Sequence, residues 1–108
     1  MKTVVHQKLV RDRIPEIIRE DGGEPACRVL KKGELSEALG NKLCEEAEEF
    51  RRSGDLEEMA DVLEVMLAIL RENGWAWEEL ERIRAEKCQK RGGFAAGIWL
   101  ESVRKEER

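Results

Sequence analysis

With 108 residues, 41% of them charged, and a formal net charge of −4, the chain has the size of one soluble domain that buries about two-thirds of its unfolded surface. An acidic balance excludes a general nucleic-acid binder, whose phosphate contacts need a basic footprint. No apolar run is long enough to cross a bilayer and Met1 to Leu9 lacks the apolar segment of a secretory signal, so the expected setting is cytoplasmic, without a membrane partner.

In chain order, Lys8, Arg11 and Arg13 first form a basic cluster within Lys-Leu-Val-Arg-Asp-Arg-Ile-Pro. Asp12 is placed to cap a short helix carrying Ile14, Ile17 and Ile18, with Pro15 tolerated in its first turn and Gly22-Gly23 ending it. Ala26 to Leu30 reads as a short strand. A long acidic helix follows, from Gly33 or Glu34 to Ser53, interrupted only weakly by Gly40. Gly54 closes it, Asp55 is placed to cap the next helix, and Gly74 terminates that one. A further helix spans Trp77 to Lys90 and ends at Arg91-Gly92-Gly93. Phe94 to Leu100 reads as a short strand or extended segment, and Glu101 to Arg108 as a solvated tail. The expected fold is therefore mainly α, a four-helix bundle with minor short β segments, as a single domain over residues 1–108.

Phase at 3.6 residues per turn assigns the faces. In the first long helix the apolar stripe is Leu35, Leu39, Leu43, Ala47 and Phe50; Glu46 falls inside it, with Lys42 and Glu49 along one flank. Glu45, Glu48, Arg51 and Arg52 point elsewhere. The next helix carries two stripes, one of Leu56, Met59, Leu63, Met66, Leu67 and Leu70, the other of Val62, Val65 and Ile69, with Glu58 in the second and Asp61 at its edge. A helix apolar on two sides is poorly covered by so few elements, which predicts a core completed across a homodimer or higher homo-oligomer.

The acids at Glu46 and Glu49, and at Glu58 and Asp61, form two i, i+3 pairs on neighbouring helices. A single such pair in so charged a chain is ordinarily a solvated face with a base four residues away. Two pairs on or beside apolar stripes, joined by a tight turn, are different, because carboxylates gathered out of water repel one another and lose hydration unless they share cations. Oxygen ligands on rigid helices suit Mg²⁺, with Mn²⁺ as the substitute, leaving positions open for water and phosphate oxygens. Cys27, Cys44 and Cys88 are odd in number and widely spaced, so neither a disulfide framework nor a zinc site is indicated. With His6 as its only histidine, the chain cannot supply the two Glu-x-x-His motifs of a di-iron bundle.

Bases are available for phosphate. Lys87 and Arg91 stand at i, i+4 on the last helix, in line with Leu80 and Ile83, so their stems can pack while their heads reach out. Lys42 lies one turn before Glu46, and the Lys8, Arg11 and Arg13 cluster adds three more. Each alone is ordinarily a surface charge. Trp75, Trp77 and Trp99 can stack on a base, although in so small a domain tryptophan more commonly fills core or interface.

Glu45-Glu46-Ala47-Glu48-Glu49 followed by Glu57-Glu58-Met59-Ala60-Asp61 resembles the E-E-x-x-E then E-x-x-D signature of the MazG-type all-α nucleoside triphosphate pyrophosphohydrolases. Lys8 to Ile18 and Lys87 to Phe94 look like a compact house-cleaning subgroup of that superfamily, related to phosphoribosyl-ATP pyrophosphohydrolase. The resemblance implies a MazG-like bundle and a Mg²⁺-dependent cut between the α- and β-phosphates of a nucleoside triphosphate. By it, Glu46, Glu49, Glu58 and Asp61 are metal ligands, and Lys87 and Arg91 hold phosphate. Glu45 or Glu49 accepts a proton from the attacking water, and Lys42 helps to align the phosphate chain. Only eight residues separate Glu49 from Glu58, fewer than is usual for the family, so the loop that helps to enclose the base is nearly absent and base selectivity is open. Other classes of function that fit the same residues are a phosphoribosyl-ATP pyrophosphohydrolase-like enzyme, a divalent-cation binder without catalysis, and an acidic helical dimerisation module.

Overall fold

The computed structural model describes residues 2–107. Four helices follow in order: α1 over Ile14–Glu20, α2 over Lys32–Ser53, α3 over Leu56–Asn73 and α4 over Trp77–Arg91. The protein is thus mainly α. The chain divides into two compact units, one running to Trp75 and holding α1 to α3, the other starting at Ala76 and holding α4.

The short β segments are not formed: among the described residues there is no strand. A strand needs a ladder partner, and neither Ala26 to Leu30 nor Phe94 to Leu100 has one. Phe94 to Gly97 instead closes a turn, with the Gly97 N–H donating to the Phe94 carbonyl at 3.1 Å. The expected Asp12 cap is also corrected. Arg13 occupies the N-cap position of α1, and the turn into the helix is closed by the Ile14 N–H on the Arg11 carbonyl at 3.0 Å.

The long helices end where the sequence predicts. Gly54 takes φ +68° and sends its N–H to the Phe50 carbonyl at 2.7 Å, a left-handed cap that other L-residues adopt at a cost. Asp55 then sits at the N-cap of α3 with extended dihedrals, although its carboxylate makes no capping bond; its own N–H donates to Ser53 Oγ at 3.1 Å. Gly74, at φ +69°, terminates α3, and the Trp75 N–H returns to the Leu70 carbonyl at 2.9 Å. At the other end of the hairpin, Glu34 caps α2 by accepting the Lys31 N–H at 3.3 Å, while Arg28 forks onto the same carboxylate at 3.0 and 3.3 Å. Those two contacts hold the Glu34 carboxyl below its ordinary range, Arg28 more than the backbone N–H.

The core lies between α2 and α3. Leu39, Val65 and Leu70 are buried, and Leu35, Leu43, Phe50, Val62, Met66, Leu67 and Ile69 are half-buried. Ala47, assigned to the α2 stripe by phase, is exposed. The first stripe of α3 is therefore split, its end from Met66 to Leu70 packed and its start open. Val62, Val65 and Ile69 are covered, whereas Leu56, Met59 and Leu63 stay exposed beside a shallow apolar groove of about 380 Å³.

Candidate metal centre

The reversal at Ser53 to Asp55 folds α3 back along α2, and with a rise of about 1.5 Å per residue it sets Glu46 and Glu49 of one helix within two turns or so of the reversal, as Glu58 and Asp61 are on the other. One carboxylate oxygen from each of Glu46, Glu58 and Asp61 lies within 4.8 Å of the others, and all three residues are half-buried. Glu49 is more exposed, yet its charge is felt at Glu58. Burial pushes the Glu58 carboxyl above its ordinary value, and the negative charges of Asp61, Glu49 and Glu46 push it further. Three of the four acids singled out by spacing thus converge on one place, and Glu49 stands outside that group.

This donor set fits a hard dication. Ligand oxygens about 2.1 Å from a Mg²⁺ ion lie at most about 4.2 Å apart, close to the separation already present, and small side-chain adjustments close the rest. Three carboxylates without nitrogen or sulfur donors favour Mg²⁺ or Mn²⁺ over softer metals.

The bases fall into four groups. Lys42, only 15% exposed at its side chain, places Nζ 3.2 Å from Glu46 and 3.4 Å from Glu45, and Lys8 reaches Glu45 at 3.9 Å. Arg11 donates from Nη2 to Asp61 Oδ1 at 2.6 Å. Arg13 turns away and pairs with Glu16 on α1 at 3.2 Å. Lys87 and Arg91 are exposed at i, i+4 on α4, within the second unit.

The sequence singled out Arg11 for phosphate, but its pairing with Asp61 across fifty positions had no local signal. Gln7 and Asn41 were missed altogether. Together with Lys8, Lys42 and Glu45 they line a polar cleft of about 170 Å³. Asn41 stands four residues before Glu45 on the same helix face, the one hint that spacing offered. Gln7 holds φ +48°, an unusual left-handed conformation for a non-glycine residue.

A stretch of 44 residues is 52% identical to a protein of Mycolicibacterium smegmatis described only as uncharacterized; it takes in 41% of this chain and 45% of that protein. The match therefore spans less than half the length of that relative. No family model matches the chain, and no solved structure matches it.

Proposed function

We propose that the protein is a Mg²⁺-dependent nucleoside triphosphate pyrophosphohydrolase that cuts the α,β-phosphoanhydride, giving a nucleoside monophosphate and pyrophosphate, and so clears modified or surplus nucleotides in the cytoplasm. The observation that carries this reading is the convergence of Glu46, Glu58 and Asp61 oxygens across the α2–α3 hairpin. The resemblance of the two acidic motifs to the MazG-type enzymes supports the same chemistry.

Bound by these carboxylates, Mg²⁺ or Mn²⁺ supplies positive charge to phosphate oxygens and acidity to a water. The chain's own groups do the rest. Glu46, Glu58 and Asp61 hold the cation, with Glu49 beside them. Glu45 is engaged by Lys42 and Lys8, whereas Glu49 makes no ion pair among the described residues, which favours Glu49 as the group that takes the water's proton. Lys42 keeps its ammonium at the edge of the cluster, where it faces phosphate as well as Glu46. Lys87 and Arg91 are the phosphate-binding candidates of the second unit.

The test is product analysis over a panel of nucleoside triphosphates, modified nucleotides and phosphoribosyl-ATP with Mg²⁺. Pyrophosphate with a monophosphate is the expected outcome, and preference for phosphoribosyl-ATP would identify the related activity. Orthophosphate with a diphosphate would sink the α,β-cleavage.

A second reading, self-association, rests on α3. Leu56 is 84% exposed and Met59 and Leu63 are also exposed on one side of the helix, a stripe that a second copy would remove from water. The enzyme works as a homodimer or higher homo-oligomer in this reading, and without catalysis the same face would make it a dimerisation module. Light scattering at micromolar concentration should give at least twice the chain mass; a strictly monomeric particle contradicts it.

A further inference from the structure

The cation nearest Asp61 in the protein alone is one of its own side chains. Arg11 Nη2 lies 2.6 Å from Asp61 Oδ1, and Asp61 is one of the three acids whose oxygens converge. The backbone that carries Arg11 is fixed, with Leu9 and Val10 half-buried before it and its carbonyl accepting the Ile14 N–H at 3.0 Å after it. The guanidinium is not fixed in the same way, since 55% of the Arg11 side chain remains exposed and Asp61 is its described acidic partner. Lys42 makes a useful contrast. Its ammonium is shared between two glutamates and its side chain is largely buried, so it has little room to leave.

A dication held by Glu46, Glu58 and Asp61 needs the carboxylate that Arg11 now occupies. At such separations the guanidinium and the dication repel, and the doubly charged ion gains more from the cluster. A released guanidinium on a fixed backbone stays within side-chain reach of the cluster. There it presents a planar donor fork that matches phosphate geometry better than a lysine does.

We propose that Arg11 is a positioning residue with two stations: it neutralises Asp61 in the cation-free protein, and when a divalent cation displaces it, it engages an oxygen of the polyphosphate bound with that cation. This rests on reading the acidic cluster as a cation site. The consequence is a change of sign. Arg11 opposes the cation when the cation comes alone and assists when it comes with polyphosphate, so cation and polyphosphate are coupled through one side chain. A pair that merely braces the fold would show no such reversal.

Calorimetric titration of the full chain tests this, with Mn²⁺ alone and with preformed manganese pyrophosphate, in wild type, Arg11→Ala and Arg11→Gln. Losing a competitor of the strength of a partly exposed ion pair should tighten Mn²⁺ alone by about two- to fivefold in both variants. For manganese pyrophosphate the order should invert, both variants binding more weakly than wild type. Arg11→Gln keeps the polar stem, so the comparison survives if Arg11→Ala does not fold. Wild type that binds Mn²⁺ with variants no tighter would overturn the exchange and leave the cation site standing. Tighter Mn²⁺ with unchanged manganese pyrophosphate would remove the second station and with it the proposal. If no form binds Mn²⁺, the cation site falls and the exchange falls with it.

Discussion

Glu48 and Glu58 are the same residue, each with a charged neighbour three positions later, and the fold treats them oppositely. Glu48 faces Arg51, at 2.6 and 2.9 Å, and Arg52, at 3.4 Å; the guanidiniums hold its carboxyl below the ordinary range. Glu58 faces Asp61 on its own helix and Glu49 and Glu46 on the neighbouring one, and burial with those charges pushes its carboxyl upward. The linkage signs are opposite as well. Glu48, lowered on folding, adds stability above the usual carboxyl pKa and loses it as pH falls; Glu58, raised on folding, adds stability at low pH and loses it as pH rises through its elevated value. Spacing along one helix does not separate a solvated acid from a candidate ligand. The facing helix does.

The largest effect that can break this comparison is catalytic. Exchanging Glu46, Glu58 or Asp61 for its isosteric amide removes a ligand charge while keeping shape, so pyrophosphate release should fall by more than about tenfold. Glu48→Gln should leave it nearly unchanged. Steady-state rates across a Mg²⁺ series measure both, and an active enzyme on which Glu58→Gln behaves like Glu48→Gln would contradict the assignment of ligands.

Much of the hairpin was legible because its signals are local. Gly54 and Gly74 mark left-handed caps that few other residues take, and helical phase carried Glu46, Glu58 and Asp61 to one side. Less legible were features set by distant partners. Val29 and Phe94 to Leu100 have the composition of strands, but composition supplies no neighbouring ladder, and Phe94 is left 98% exposed. Asp12 is a good capping residue by type, yet the turn closed on the Arg11 carbonyl starts the helix one residue later. The two apolar stripes of α3 are equally visible in sequence. How much of each is covered depends on tertiary packing, as does the meeting of Arg11 with Asp61.

The most direct test of the acidic cluster as a cation site is thermal unfolding of wild type, Glu58→Gln and Glu48→Gln, each in chelator and in Mn²⁺. In chelator at neutral pH, Glu58→Gln should hold or raise the melting temperature, since one like-charge repulsion is relieved, while Glu48→Gln should lower it slightly. At Mn²⁺ about tenfold above its dissociation constant, binding to the folded state is worth about 1.4 kcal/mol, a rise of several degrees for a domain of this size. Wild type and Glu48→Gln should both show that rise and Glu58→Gln should lose most of it. Equal shifts in all three proteins, or none in wild type, would contradict the cation site.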